Sequence, residues 1–533
     1  MAKGATQSAA APRSLFSEYI GTNYIPTDTE IAQIGAHLVP YEMELVHLEA
    51  QIQALSVQRD RLKSYIDSHK ALISQPRRIP QDIVEEIFLD CLPTAHNAVM
   101  DAREAPLLLG RICSRWRSIA LALPKLWASL HISVGFLTTD LRTTAVVEWL
   151  RRAAPLPLYI SAQYDRSGFV THSIAPFINH FSSRWAALHL YDTPATDIFL
   201  LAAVRDAPQL ADIRINFRSD QYLDHKQASD LLRAKIFAAP LPQKIRLALP
   251  KPKLIVPLAP FTWDHITDLT LMQSTVTCTG PTDDIDVLFN THVCRVLEGC
   301  RNLKSLEIPV CPLDENIRRP PLVHPLETLI IHNHGTTFVL LKYFLGNFIL
   351  PQLTKLHLTT LESDWDESVL PAHPLMRLGD QAPSVSDLHL DLLIRSSMIS
   401  VVKGLDALPH IERLSLVLKR DDYDMVGLDE AAFFKALTPT EMTNPCPSLL
   451  DLYVYSEHCQ ETVWKEFLQA HLDHSTSFRR LHLHLWCQDP YDTVDQIPLP
   501  DTSRFRDRGI DVFFEYELVT PAVEATPWDG IER

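Results

Sequence analysis

The stretch Pro351-Gln-Leu-Thr-Lys-Leu-His-Leu358 contains the pattern that decides the fold of this chain. It ends in an alternation of polar and apolar residues, which is typical of a β-strand with one buried face. The same pattern, again introduced by proline and one further residue, recurs after Pro208, Pro383, Pro409 and Pro447. A short strand that returns along the chain in this way predicts an architecture of stacked repeats.

Eleven copies of the pattern occur between Trp185 and Leu483, at intervals of about 22 to 38 residues. Their apolar-x-apolar cores are Leu188–Leu190, Ile213–Ile215, Leu247–Leu249, Leu269–Leu271, Leu306–Ile308, Leu329–Ile331, Leu356–Leu358, Leu388–Leu390, Leu414–Leu416, Leu452–Val454 and Leu481–Leu483. Segments with helical patterns lie between the copies. One such unit cannot bury its own apolar face, and stacking against its neighbours solves that problem.

This repeat resembles the leucine-rich repeat. The resemblance implies an α/β fold over residues 129–518, an irregular solenoid with a parallel sheet on its concave side. Regular repeats carry an asparagine shortly after the strand, and it is mostly missing here, so we expect irregular repeats. An ordinary α/β sheet with leucine-rich strands is the alternative.

The residue between the two apolar positions of each copy is expected to face away from the core, where it could contact a partner. These outward residues include His189, Arg214, Thr270, Glu307, Ile330, His357, His389, Ser415, Tyr453 and His482. Among them we predict target-binding roles for His189, Arg214, His357, His389, Tyr453 and His482. The recurring histidines could make the surface pH-sensitive, and solvated strand positions are the simpler explanation.

Three pieces of sequence precede the repeats: Ile79-Pro-Gln-Asp-Ile-Val-Glu-Glu-Ile-Phe88, Leu107-Leu-Leu-Gly-Arg-Ile-Cys-Ser-Arg-Trp-Arg-Ser-Ile-Ala120 and Pro124-Lys-Leu-Trp127. The first two show helical periodicity. In this order the three pieces are similar to an F-box. The resemblance implies a three-helix unit that binds a Skp-type adaptor, and through it a cullin. A plain helical hairpin in a core is the alternative.

The resemblance places the adaptor-facing residues by position. They are Ile79, Pro80, Ile83, Ile87, Leu109, Ile112, Cys113 and Trp116. The sequence departs from the usual motif at Ile79 and Asp82, where leucine and glutamate are usual, and in the long link from Pro93 to Ala105. The flanking stretches Asn23–Glu30, His69–Arg78 and Arg142–Ala162 are similar to those of a large family of basidiomycete (mushroom) F-box proteins. This resemblance covers about the first 190 residues.

A heptad pattern precedes the F-box-like segment. Its apolar positions are Leu45, Leu48, Ile52, Leu55, Leu62 and Ile66, with Arg59 and His69 at two further positions. This spacing predicts a coiled-coil helix within residues 29–75, with Pro40 at the start of the heptads. The helix could form a parallel homodimer or fold back against the F-box.

The remaining boundaries follow from these segments. We expect a disordered N-terminus over residues 1–28, the F-box over 76–128 and a loose C-terminal tail over 519–533.

Composition excludes several classes of protein. The chain has 533 residues, a net charge of −16 and basic residues that are mostly single, whereas nucleic-acid binding needs clustered positive charge. No stretch of about eighteen apolar residues is present, so a membrane-spanning helix is not expected. The nine cysteines form no C-x-x-C pair and no secretory signal precedes them, which indicates a cytoplasmic or nuclear protein.

Signals for chemistry are weak. No phosphate-binding loop or nucleophile elbow is present. Strand ends and exposed strand positions explain His332-Asn-His334 and the pair His482 and His484 better than a metal site does. We predict no catalytic residue, no metal and no cofactor.

Together the segments predict a non-enzymatic substrate receptor of a Skp–cullin–F-box ubiquitin ligase, which binds the adaptor through the F-box and a target protein through the repeats. An interaction scaffold with a divergent F-box is the alternative, and an enzyme in the C-terminal half is a third hypothesis.

Overall fold

The structure is a computed structural model, and it divides into two compact units, Met1–Val84 and Glu85–Arg533, which are described in turn. The described residues are 14–73, 77–136, 140–164, 173–204, 207–218, 225–237, 242–249, 263–273, 290–310, 320–333, 345–362, 375, 378–393, 404–405, 407–419, 430–441, 443–456, 460–474, 476–486 and 500–517.

The described elements alternate between helices and strands. The α-helices are α1 (Asp28–Leu72), α2 (Gln81–Asp90), α3 (Leu109–Ile112), α4 (Ser114–Ala122), α5 (Asp140–Arg152), α6 (Ala175–Ile178), α7 (Ala195–Ala202), α8 (His225–Leu232), α9 (Asn290–Gly299), α10 (Leu378–Gln381), α11 (Glu430–Leu437), α12 (Glu461–Asp473) and α13 (Ser503–Arg506). The strands are β1 (Ser129–Ser133), β2 (Leu158–Gln163), β3 (Trp185–Thr193), β4 (Asp212–Phe217), β5 (Lys244–Leu249), β6 (Asp268–Gln273), β7 (Ser305–Val310), β8 (Leu322–Val323), β9 (Thr328–Asn333), β10 (Phe348–Ile349), β11 (Lys355–Glu362), β12 (Asp387–Leu393), β13 (Arg413–Lys419), β14 (Asp451–Ser456), β15 (Arg480–Trp486) and β16 (Asp511–Glu517).

The first unit consists mainly of α1, a single helix of 45 residues. A capping box fixes its start, because the Glu30 carboxylate accepts the backbone N–H of Thr27 at 2.8 Å. The chain before α1 contains a 3-10 turn, and the rings of Tyr19 and Tyr24 stack there with centroids 4.1 Å apart. This segment and the first part of α1 line a cavity of about 460 Å³.

Pro40 lies inside α1, so the expectation that it marks the start of the heptads is wrong. A proline in a helix lacks the N–H that would bond to the carbonyl four residues earlier, which costs about 3 kcal/mol. Counted back from Leu45 and Leu48, however, Pro40 occupies heptad position c, away from the apolar seam. The seam therefore continues past it to Ile31.

The boundary between the units falls inside α2, and the rest of the F-box-like segment belongs to the second unit. There the rings of Phe88 and Trp116 meet edge to face with centroids 5.1 Å apart. Cys113 caps α4 by accepting the backbone N–H of Trp116 at 3.4 Å. Trp127 is 2% exposed, and its indole N–H donates to the carbonyl of Ala120 at 2.8 Å. Its ring also contacts Trp149 with centroids 4.8 Å apart, so the segment packs against α5, the helix between β1 and β2.

A parallel sheet of fourteen strands dominates the second unit. Each strand pairs with the next one along the chain, except that the short strands β8 and β10 pair with each other outside the sheet. The apolar positions stay in register, and Leu356, for example, lies between Leu329 and Leu388. This order confirms the α/β class and the large parallel sheet, and sequential parallel pairing is the topology of a repeat solenoid.

The turns before the strands of the large sheet from β5 to β15 repeat the same hydrogen bonds. The backbone N–H groups of Thr354 and Lys355 both donate to the carbonyl of Glu327, at 2.9 and 3.1 Å. One repeat later, Ser386 and Asp387 both donate to Thr354, each at 3.0 Å. Each repeat is therefore joined to the previous one before its strand begins.

Charged side chains mark the first position of many strands and alternate in sign along the row. The row reads Asp212, Lys244, Asp268, Ser305, Thr328, Lys355, Asp387, Arg413, Asp451, Arg480 and Asp511. Arg413 Nε lies 3.1 Å from Asp387, and Arg480 Nε lies 2.7 Å from Asp451. Cross-strand pairs of opposite charge contribute about 0.2–1 kcal/mol each and oppose a slipped register.

The long link between Pro93 and Ala105 covers the open edge of the sheet at β1. Val99 forms a parallel bridge with His131, and the His131 backbone N–H donates to the carbonyl of Ala98 at 2.8 Å. Both Ala98 and Val99 are fully buried. An uncovered parallel edge would offer unpaired backbone groups to other chains, so the link protects the start of the solenoid.

Candidate functional site

One row of side chains crosses the whole sheet on the face away from the leucine core, and we call it the exposed row. Its members are His131, Ser161, His189, Arg214, Arg246, Thr270, Glu307, Ile330, His357, His389, Ser415, Tyr453, His482 and Phe513. All six predicted target-binding residues lie in this row. From His189 onward its members are half-buried or exposed.

Four members of the exposed row were not predicted from the sequence. His131, Ser161 and Phe513 lie on strands outside the range in which the repeat pattern was recognised. Arg246 was missed because its copy was placed at Leu247–Leu249, whereas Leu247 pairs with Leu271 and Arg246 with Thr270. Because β5 contains three alternating apolar residues, the sequence allows two alignments of this copy with the other copies. The two alignments differ by two positions.

The N-terminal part of the row contains a charged cluster around Asp212. His189 Nε2 lies 3.1 Å and Arg214 Nη2 lies 3.2 Å from Asp212 Oδ2. Burial acts to raise the pKa of Asp212, but the hydrogen bonds and charges of His189 and Arg214 outweigh it and lower that pKa. The cluster therefore keeps an ionised carboxylate on the strand face.

A second cluster surrounds Glu307 at the middle of the row. Its carboxylate accepts hydrogen bonds from Arg246 at 2.7 Å and from Thr270 at 3.0 Å, and His332 Nε2 lies 3.0 Å away. Burial alone would raise the pKa of Glu307, but His332, Arg246 and Thr270 together lower it to about 2. His332 is thus part of a hydrogen-bonded strand face, while His334 lies outside the described residues.

His357 and His389 face each other on neighbouring strands, with ring centroids 3.6 Å apart. Burial and, to a smaller extent, the neighbouring His389 and His332 together lower the pKa of His357 to about 4. His357 is therefore uncharged in the range where an ordinary histidine titrates.

The C-terminal part of the row is aromatic. The Tyr453 hydroxyl lies 2.7 Å from His484 Nδ1, and the rings of His482 and Phe513 stack with centroids 4.5 Å apart. Phe513 is 44% exposed. Aromatic side chains of this kind supply much of the contact energy in protein interfaces.

The F-box-like segment also exposes several large apolar side chains. Ile87 is 38% exposed and Ile112 is 54% exposed, as are two leucines that were not predicted, Leu108 at 43% and Leu121 at 45%. Leu109 is only 4% exposed, so its side chain is inside the helical pair.

The other predicted adaptor residues differ in exposure. Ile83 is 48% exposed, Pro80 is exposed, and Ile79, Cys113 and Trp116 are half-buried.

The described residues also bear on metal binding and on membrane insertion. Within the described ranges, no group of three or more His, Cys, Asp or Glu side chains is arranged to hold a metal ion. Among the described helices, none is both long and apolar enough to span a membrane.

Comparison with known proteins leaves the family open. No family model matches the sequence, and no curated protein matches it either. The structure is similar to a chain in the crystal structure of the yeast Rad7–Elc1 complex, with 12% identity, a TM-score of 0.32, and 85% of this chain and 97% of that chain covered. It is also similar to a protein from Bacteroides fragilis, with 12% identity, a TM-score of 0.23, and 71% of this chain and 72% of that chain covered. At such TM-scores neither likeness carries a conclusion about function.

Proposed function

We propose that this chain is the substrate-receptor subunit of a Skp–cullin–F-box ubiquitin ligase, a cytoplasmic or nuclear protein without catalytic residues of its own. Residues 79–127 would act as an F-box and bind a Skp-type adaptor that connects to a cullin. The exposed row of the sheet would bind the target protein.

The observation that supports adaptor binding is the exposed apolar surface of the F-box-like segment. Ile87, Leu108 and Ile112 each leave more than a third of their surface in water. Large apolar side chains grouped on a short helical segment are typical of a protein interface. In the proposed complex they would be covered by the adaptor, as the resemblance to the F-box implies.

The exposed row suits the binding of a folded protein better than that of a small molecule. It runs across all fourteen strands of the sheet, and its chemistry changes from charged at Asp212 and Glu307 to aromatic at Tyr453 and Phe513. A long surface of mixed chemistry allows many separate contacts, which is how repeat proteins recognise partners.

Adaptor binding is tested by titrating a purified Skp-type adaptor into the full-length chain in a calorimeter. The double variant Ile87→Glu, Ile112→Glu should weaken binding at least tenfold, because two charges would enter an apolar interface. Leu200→Glu is the matched control, since Leu200 is 50% exposed on α7. It should bind like the unaltered chain.

Circular dichroism of each variant shows whether the fold is kept. If the unaltered chain does not bind the adaptor at tens of micromolar, the ligase function is wrong. The repeat sheet would then serve an interaction protein of another kind.

A further inference from the structure

The apolar seam of α1 lacks a covering partner over most of its length. None of the described side chains of α1 is buried. Leu45 is 56% exposed, Ile52 is 65% exposed and Leu62 is 63% exposed, although all three occupy seam positions. Long helices are stable in water mainly when an apolar face packs against another element. We therefore expect a second helix to cover this seam.

The first part of the seam faces the segment that precedes α1 in the chain. Ile34, Leu38 and Tyr41 line the cavity of about 460 Å³ together with Tyr19 and Tyr24 from the segment before α1. The part that needs a partner therefore begins after Tyr41 and runs towards the C-terminal end of the helix.

The charges beside the seam differ between the two halves of α1. With Leu45 and Ile52 at position a, the successive e positions are Glu42, Glu49, Ser56, Lys63 and Lys70. They are acidic before Ser56 and basic after it. Among the residues that the structure describes, none of these four charged side chains has a salt-bridge partner.

We propose that α1 pairs with α1 of a second copy of this chain in an antiparallel two-stranded coiled coil. In an antiparallel pair, position e of one helix faces position e of the other. Aligning Ser56 with Ser56 of the second copy places Glu42 opposite Lys70 and Glu49 opposite Lys63. Two-fold symmetry repeats both contacts, so every charged e position is matched by an opposite charge.

This register is also the best of the antiparallel alternatives. Sliding one helix by a heptad in one direction keeps only Glu42 opposite Lys63, and sliding it in the other direction keeps only Glu49 opposite Lys70. The chosen register places Leu48 beside Ile66 of the second copy. The charge pairs therefore select this alignment, and Leu48 with Ile66 shows that it also forms apolar layers.

A parallel dimer, one of the two arrangements that the heptads left open, is opposed by three like-charge contacts. Position g of one helix then faces the next e position of the other, so Glu44 meets Glu49 of the second copy, twice. The two Arg59 side chains, at position a, would also lie in a single core layer. In the antiparallel register Arg59 lies beside Leu55 of the second copy instead.

The geometry has a consequence for the assembly. The paired segment from Tyr41 to Ile73 would be about 50 Å long, at 1.5 Å per residue. The C-terminal ends of the two helices would lie about 45 Å apart at opposite ends of the coil. The two F-box-like segments would leave from opposite ends, whether or not they bind an adaptor.

Charge reversal in the full-length chain tests the pairing by sedimentation equilibrium. The unaltered chain should be a dimer. Lys63→Glu, Lys70→Glu makes all charged e positions acidic, and Glu42→Lys, Glu49→Lys makes them basic. Each variant alone should dimerise at least tenfold more weakly, and an equal mixture of the two should restore the dimer.

Arg61→Glu is the control, because Arg61 occupies an outer c position. It should dimerise like the unaltered chain. A monomeric or trimeric unaltered chain overturns the proposal, and so do reversal variants that dimerise unchanged or a mixture that stays monomeric. A monomer would point to a helix that packs within its own chain.

Cross-linking with a short bismaleimide tests the orientation. Ser56→Cys should link to itself between copies, because position 56 faces its own counterpart at the centre of the antiparallel coil. Ile52→Cys should not, because its counterpart would lie about 15 Å further along the axis. Peptide mass spectrometry separates these links from those of the native cysteines. A dimer that links through Ile52→Cys, or through neither position, overturns the proposal.

Discussion

His471 shows how burial in this fold controls the charge of a single residue. It is 3% exposed on α12, with Nδ1 2.6 Å from the Thr476 hydroxyl and with the rings of Phe467 and Phe478 at centroid distances of 4.5 and 4.6 Å. Burial, helped by the nearby charge of His474, lowers its pKa to about 4. The folded protein therefore disfavours the protonated form of this side chain.

The resulting pH dependence has a definite sign. A histidine of the unfolded chain titrates near pH 6.5, so between pH 6.5 and about 4 the unfolded state binds more protons than the folded state. The contribution of uncharged His471 to the free energy of unfolding is complete above pH 6.5. As the pH falls towards 4, the free energy of unfolding decreases by up to about 3 kcal/mol through this residue.

Urea unfolding at pH 7 and pH 5, followed by circular dichroism, measures this loss. His471→Phe keeps the ring contacts but has no titrating group. The difference in the free energy of unfolding between pH 7 and pH 5 should therefore be smaller in this variant. The exposed His474 gives the control, because His474→Gln should leave most of the pH dependence in place. An unchanged pH dependence in His471→Phe would contradict this prediction.

Residues on strands were easier to predict than residues on helices. Strand alternation was enough to place His189, His357 and His482 on one face, because the two faces of a strand differ at every step. It was not enough for Arg246, where a third apolar residue made two registers equally good. His471 gave no signal at all, because its burial depends on where α12 packs and not on its own sequence neighbours.

At the scale of elements, the alternating charges at the strand starts favour the observed alignment of neighbouring strands over a slipped one. Asp451 is the clearest case, since its carboxylate accepts two hydrogen bonds of 2.7 Å from Arg480 and its side chain is 16% exposed. Asp451→Asn should therefore lower the free energy of unfolding by about 1 kcal/mol. Asp511→Asn, in the same row but 54% exposed at the last strand, should change it by less than about 0.5 kcal/mol.

Thermal melting of both variants in low salt and in 1 M NaCl checks this prediction. The effect of Asp451→Asn should become smaller in high salt, because screening weakens the lost ion pair. Equal effects of the two substitutions would show that the charge row does not stabilise strand pairing.

Elements with a long period were predictable, and short covering segments were not. The heptads predicted α1, whereas Pro40, expected at the start of the heptads, lies within the helix at a position off the seam. The link between Pro93 and Ala105 looked like a mere departure from the F-box motif. Its role as the cover of β1 depends on Ala98 and Val99, which are too few residues to show a strand pattern in the sequence.

At the scale of the whole molecule, the second unit should unfold in parts. Within the described sheet, each strand hydrogen-bonds to the strand before and the strand after it in the sheet order, with β8 and β10 outside that order. We therefore expect a defect in one repeat to destabilise mainly the neighbouring repeats. Leu452 is fully buried in β14, between Leu414 and Leu481. Leu452→Ala should cost about 2–5 kcal/mol there, through lost apolar contacts and the cavity left behind.

Hydrogen exchange followed by mass spectrometry shows which strands lose stability in the variant. Peptides from β13 to β15 should exchange much faster in Leu452→Ala, while peptides from β1 to β4 should keep their protection. The mirror variant Leu188→Ala, at a fully buried position in β3, should give the opposite distribution. Faster exchange across all fourteen strands in both variants would mean that the sheet unfolds as one cooperative body, and the description of the second unit as a solenoid of nearest-neighbour contacts would be wrong.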